Sequence, residues 1–142
     1  TDMQAALGIH QLPRIERYLK RREEIWKRYD EAFRNLPVIT PAPAAPETRH
    51  ARHLYTLLID IDRVRKSRDE IQQALHRENI GTGIHFSSVH LHRYYRETYG
   101  YKVGDFPNAE YISDRTISLP LSAKLTDADV SDVITAVRKV LS

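Results

Sequence analysis

The chain has 142 residues, a formal net charge of +3 and no cysteine. That length suits one domain with a core of its own, and the lack of cysteine excludes disulfides and thiolate chemistry and fits a reducing compartment, so the cytoplasm is expected. No apolar run reaches the roughly 18 to 20 residues that span a bilayer, and no signal-peptide pattern opens the chain, so no membrane partner is expected.

Thr1 with Gln4 fits a capping box ahead of Ala5, Ala6 and Leu7, so a helix is predicted from the first residues. A cap at residue 1 leads us to expect a piece of a longer protein. Pro13 should break or kink the pattern near Gln11. Beyond it Leu12, Ile15, Leu19, Trp26, Tyr29 and Phe33 recur at spacings of three and four, an apolar stripe interrupted by Arg22. The charged face from Arg14 to Arg28 reads as a solvated helix face. Its interleaved Glu23 and Glu24 argue against nucleic acid as a partner.

The helical segment 1–35 should give way to a Pro-rich connector, 36–50, in which Pro37, Pro41, Pro43 and Pro46 oppose regular pairing. An α/β layer, 51–142, follows. His53 to Asp62 reads as a buried strand, and Ser67 with Glu70 caps a helix carrying Ile71, Ala74 and Leu75 that ends near Asn79. Ile80 to Ile84 reads as a second strand, Asn108 to Arg115 as a short helix, and Thr116 to Leu119 as a third strand stopped by Pro120. Thr126, Asp127 and Asp129 start a last helix whose buried face is Val130, Val133, Ile134, Val137 and Leu141. The fold class is α+β: a small mixed or antiparallel three-stranded sheet covered by helices, preceded by a long helical segment.

The segment from Gly81 to Tyr95 carries His85, His90, His92, Tyr94 and Tyr95 on what reads as a loop after a strand. Imidazole and phenol combine hydrogen bonding with flat apolar faces, which suits a sugar or nucleotide, and Arg93 offers a planar fork to phosphate or carboxylate. The bland alternative is aromatic packing beneath a loop. Metal ligation by the three histidines is weaker, because no Cys, no His-Glu-x-x-His and no zinc-type spacing accompanies them; His50 and His53 suit packing at a strand entry. No metal site is expected. Nucleophile-elbow, P-loop and dinucleotide fingerprints are absent, and no lysine sits in an apolar context that would make it a Schiff-base nucleophile. No catalytic residue and no cofactor-binding residue is assigned within the chain.

Four segments in register carry a resemblance: Thr1 to Gly8, His85-Phe86 through His90-Leu91-His92 to Tyr94-Tyr95, Gly104 to Glu110, and Ile117-Ser118-Leu119-Pro120-Leu121. Together they resemble the DegT/DnrJ/StrS-type sugar-nucleotide aminotransferases, over residues 1 to 142 but only over the C-terminal part of such an enzyme. The resemblance implies a homodimer that uses pyridoxal 5'-phosphate to move an amino group from glutamate to a nucleotide-linked keto sugar, in polysaccharide or secondary-metabolite sugar synthesis. It implies that the cofactor, its lysine and its aspartate belong to an N-terminal domain that this chain lacks, so the chain alone is expected to be inactive and to hold no cofactor. Carried over by position, His85 and His90 are the best candidates for substrate contact, with Tyr94 and Tyr95 behind them, and Asp2 and Gln4 lie near the dimer interface; Arg93 joins the substrate-binding set on the chemistry of its guanidinium fork. Ser87-Ser88 and Arg52 depart from the family pattern, which puts loop shape and sugar choice in question. The competing expectation is a non-enzymatic protein-interaction domain built on helix 1–33.

Overall fold

A computed structural model describes residues 1–142. In chain order it contains α1 (Asp2–Gln11), a 3-10 turn (Leu12–Arg14), α2 (Ile15–Phe33), β1 (Val38–Ile39), β2 (Tyr55–Ile59), α3 (Ile61–Val64), α4 (Arg68–Arg77), a second 3-10 turn (Val89–Leu91), α5 (Arg93–Tyr99), α6 (Pro107–Ser113), β3 (Thr116–Leu119) and α7 (Asp127–Leu141). The fold is α+β. Its sheet has three antiparallel strands in the order β1-β2-β3, with β2 central.

Local chemistry starts the helices where the sequence places them. Thr1 with Gln4, Ser67 with Glu70 and Thr126 with Asp129 each form a reciprocal capping box, which satisfies amides that the first helical turn leaves unpaired. Pro13 sits in the 3-10 turn between α1 and α2, where its missing N–H costs nothing.

Two strand expectations change. The segment Ile80 to Ile84 is not a strand: it makes a single bridge, Gly83 with Ser118, beside β3. The third strand is instead β1, inside the Pro-rich connector, where Val38 and Ile39 pair with Ile59 and Leu58. A two-residue strand at a sheet edge fits between Pro37 and Pro41 because it needs few amide donors. A further difference is that Tyr94 and Tyr95 stand on a helix, α5, rather than on a loop.

Alternation along the strands separates the two sheet faces. Tyr55, Leu57 and Ile59 of β2 and Ile117 and Leu119 of β3 enter one core with α2, α4 and α7. From α2 come Ile25, Trp26, Tyr29 and Phe33, from α4 Ile71 and Leu75, and from α7 Val130, Val133, Val137 and Leu141. Tyr29 stacks on Phe33 and meets Tyr55 edge-on at 5.0 Å; its hydroxyl donates to the Pro120 carbonyl at 2.9 Å. Polar contacts fix α2 against the start of α7: Arg21 and Arg28 each reach Asp127 Oδ1 at 2.9 Å, and Arg21 also donates to the Leu125 carbonyl at 2.8 Å.

The apolar stripe of the first helical segment is buried only from Ile25 onward. Leu12 and Ile15 are exposed, and α1 buries no residue at all, leaving Met3, Leu7 and Ile9 open. Ile134 is only partly buried, and Ala136 and Val140 take places on the buried face of α7 instead.

Candidate functional site

The site grows from the bridge between Gly83 and β3. Gly83 N–H donates to the Ser118 carbonyl at 3.0 Å and Ser118 N–H donates to the Gly83 carbonyl at 2.8 Å, so the chain leaves this point with a fixed direction. Two residues on, His85 places Nδ1 2.8 Å from Ser118 Oγ, and the exposed Phe86 ring stands edge-on to the imidazole at 4.9 Å. His85 is half-buried and its Nε2 makes no hydrogen bond within the chain. His85 combines a held ring and an unpaired nitrogen with a half-buried position, whereas His90 is buried and His92 is exposed.

His90 is differently placed. It is 7% exposed, its Nε2 lies 2.9 Å from Glu110 Oε1, and its ring tilts against Phe106 at 4.8 Å. Glu110 also accepts from the Gly104 amide at 2.8 and 3.1 Å and from the Phe106 amide at 3.4 Å. Burial pushes this carboxyl up, but the Gly104 amide, His90 and the Phe106 amide outweigh it and hold Glu110 below the usual carboxylate range. His90 Nε2 thus ties the 3-10 turn to α6 and, through Glu110, to the turn at Gly104, and its ring is buried where that of His85 is only half-buried. Next to it the Ser88 amide donates to Ser113 Oγ at 3.0 Å, while Ser88 Oγ is buried without a partner.

Tyr94 and Tyr95 lie on α5, with Tyr94 63% exposed. Tyr95 stacks on Tyr99, Tyr99 on Tyr101, and Tyr101 meets Phe106 edge-on, so a run of rings leads from α5 back to His90. Arg93 pairs with Glu97 on the exposed side of α5 at 2.8 Å. The structure thus joins His90 to Tyr95 through packed rings and leaves His85 on its own anchor at β3. Asp2 and Gln4 are exposed on α1, where Gln4 Oε1 accepts from the Thr1 amino group at 2.8 Å.

The three imidazoles do not converge, and no group of three or more His, Asp or Glu side chains is arranged to hold a metal ion. No helix is long and apolar enough to cross a membrane. Sequence reasoning missed three residues that shape the site: Ser118, Gly83 and Glu110. A signal existed for the first, a hydroxyl inside the apolar strand Ile117-Ser118-Leu119. Glu110 closes the Gly104 to Glu110 segment that carries the resemblance, but nothing in its spacing pointed to His90, 20 residues back.

With this geometry in hand, comparison with known proteins is decisive. Residues 1–138 match the DegT/DnrJ/EryC1/StrS aminotransferase family. The chain belongs to that family. It is 51% identical over 142 residues to an uncharacterised protein of Methanocaldococcus jannaschii, covering 100% of this chain and 37% of that protein. It is 48% identical over 141 residues to the spore coat polysaccharide biosynthesis protein SpsC of Bacillus subtilis, covering 99% of this chain and 36% of SpsC. The putative sugar aminotransferase Spr1654 of Streptococcus pneumoniae, in its apo form, superimposes with a TM-score of 0.87 at 29% identity, over 99% of this chain and 35% of that one. That protein is also known in forms with pyridoxal and pyridoxamine phosphate. The chain thus spans little more than a third of the length of these relatives.

The family implies pyridoxal phosphate, and the residues present do not fit its covalent attachment. A Schiff-base lysine needs a desolvated setting that lowers its pKa. All six lysines here are exposed; Lys139 is paired with Glu78 at 2.8 Å and Lys66 donates to the Val140 carbonyl at 3.3 Å.

Proposed function

We propose that this chain is the C-terminal, substrate-binding and dimerisation portion of a pyridoxal-phosphate-dependent aminotransferase that moves an amino group from glutamate to a nucleotide-linked keto sugar. The observation that carries the reading is the match to an aminotransferase family over residues 1–138, in a chain whose own lysines are all exposed. The chain's part is to bind and orient the nucleotide sugar, and the amino-transfer chemistry belongs to residues outside it. His85 is the leading contact, a half-buried ring with a free Nε2 beside the exposed Phe86 face. His90 and Glu110 set the loop that carries the contact, and Tyr94, Tyr95 and Arg93 form the outer rim on α5. Asp2 and Gln4, with the open apolar side chains of α1, belong to an assembly surface that the isolated chain leaves uncovered. The same uncovered helix supports a second reading, an interaction domain without a ligand of its own.

Titration of the 142-residue chain with a nucleotide sugar, followed by NMR, separates the two. Shifts centred on His85 and Phe86 and extending to Tyr95 support substrate binding. A silent segment together with concentration-dependent shifts along α1 would favour assembly alone.

A further inference from the structure

Ser118 points from the sheet face opposite Ile117 and Leu119, and it is 4% exposed. Its Oγ has one hydrogen-bond partner, His85 Nδ1 at 2.8 Å. A buried hydroxyl whose proton finds no acceptor is strongly disfavoured, so the hydroxyl donates and Nδ1 accepts. A neutral imidazole that accepts at Nδ1 carries its proton on Nε2. That nitrogen is the one left free.

Gly83 supplies the other half of the arrangement. A β-carbon there would lie 2.8 Å from His85 Cε1 and 3.3 Å from Nδ1, so the ring edge occupies space that only glycine leaves open. The bridge between Gly83 and Ser118, with hydrogen bonds of 2.8 and 3.0 Å, holds the two backbones that flank the ring. One bridge therefore sets the strand spacing, the seat of the imidazole and its hydrogen-bond partner together.

We infer that Ser118 and Gly83 are positioning residues that hold His85 as the Nε2–H tautomer, presenting a neutral N–H donor to an acceptor oxygen of the bound nucleotide. Such a donor suits phosphate, carbonyl or hydroxyl oxygen and rejects an ammonium group. The tautomer and the seat follow from this chain's own contacts; the ligand rests on the function proposed above.

Long-range 15N–1H NMR of the 142-residue chain tests the pair. In the unmodified chain we expect the imidazole proton on Nε2, a slowly exchanging Ser118 hydroxyl proton coupled to Nδ1, and close contacts from His85 Hε1 to the Gly83 α-protons. Ser118→Ala should lose the coupling and let the ring sample several rotamers, whereas Ser118→Thr, which keeps a hydroxyl, should restore a single one. Gly83→Ala should displace the ring with little change in the urea midpoint, since a side chain and not the backbone gives way; it decides the matter if Ser118→Ala does not fold. A proton on Nδ1 in the unmodified chain, or a ring undisturbed by both Ser118→Ala and Gly83→Ala, would overturn the inference.

UDP serves as the ligand probe. It should shift His85 Nε2–H, with roughly threefold to tenfold weaker binding to Ser118→Ala, the weight of one neutral hydrogen bond. The expected tautomer with no response to UDP would refute the nucleotide reading and leave the positioning pair standing. A response to UDP from a chain protonated on Nδ1 would do the reverse.

Discussion

Replacing Tyr29 with phenylalanine removes one oxygen from the centre of the core, and its effect should change sign with pH. At neutral pH the variant loses the hydrogen bond from Tyr29 Oη to the Pro120 carbonyl, 2.9 Å long, and leaves that carbonyl short of a partner. The cost should be about 1 to 2 kcal/mol. Burial pushes the Tyr29 phenol well above its ordinary value, and Tyr55 is raised in the same direction, by burial first and then by its hydrogen bond to Asp30 at 2.7 Å. A group whose folded pKa is raised contributes stability below its unfolded pKa and loses it as pH rises. Above about pH 10 the unfolded phenol gives up its proton while the folded one keeps it, so each of the two tyrosines removes about 1.4 kcal/mol of stability per pH unit. Tyr29→Phe abolishes one of these two contributions. Its deficit of about 1.5 kcal/mol at pH 7 should therefore vanish at roughly pH 11 and reverse above it. Urea unfolding at pH 7, 9, 10.5 and 11.5, with m unchanged between the two proteins, measures this directly. A deficit that stays constant across the series, or no deficit at pH 7, would refute the placement of Tyr29 as a buried, donating phenol.

At the acid end, Glu110 is held below the usual carboxylate range, so the stability it contributes is present above its unfolded pKa of about 4.3 and lost as pH falls through the folded value. Glu110→Gln should abolish that part of the acid dependence and raise hydrogen exchange at the Gly104 and Phe106 amides; unchanged exchange would show that these amides do not depend on the carboxylate. Leu7→Ser, on a helix that buries nothing, should move the unfolding free energy of this chain by less than about 0.5 kcal/mol, and a larger loss would mean that α1 packs on the body. Ile117→Ala, in contrast, opens the core beside β2 and should cost about 2 to 5 kcal/mol in the same urea assay; a cost below 1 kcal/mol would contradict its burial.

The parts of the fold that were legible in the sequence are those that short-range chemistry decides. Thr1, Ser67 and Thr126 each carry their box partner three residues on, and all three helices start there. Pro13 marks its break for the same reason. Pairing partners were harder, because a strand is defined by what lies beside it. Ile80 to Ile84 has the apolar character of a strand yet only Gly83 meets β3, while Val38 and Ile39 pair despite the prolines around them. Periodicity also says which face of a helix is apolar, not whether the chain supplies something to cover it. Leu12 and Ile15 continue the stripe of Trp26 and Phe33 but remain open.

The site follows the same division. Its residue types, imidazoles and phenols after a pair of glycines, could be read directly. What separates His85 from His90 is long-range: one ring meets Ser118, 33 residues away, and the other meets Glu110, 20 residues away. No local spacing encodes which ring is buried and which stays half-open. The hydroxyl of Ser118 inside an apolar strand was a hint to the first pairing.

We propose that this chain shapes the sugar-nucleotide side of an aminotransferase, with His85 as a contact. The most direct measurement is a comparison of the two half-reactions in the aminotransferase of which we propose this chain is the C-terminal portion, with and without His85→Ala. KM for the nucleotide-linked keto sugar should rise about threefold to tenfold, the weight of one hydrogen bond, while the glutamate half-reaction and the cofactor spectrum stay unchanged. An equal loss in both half-reactions, or no change in either, would contradict it.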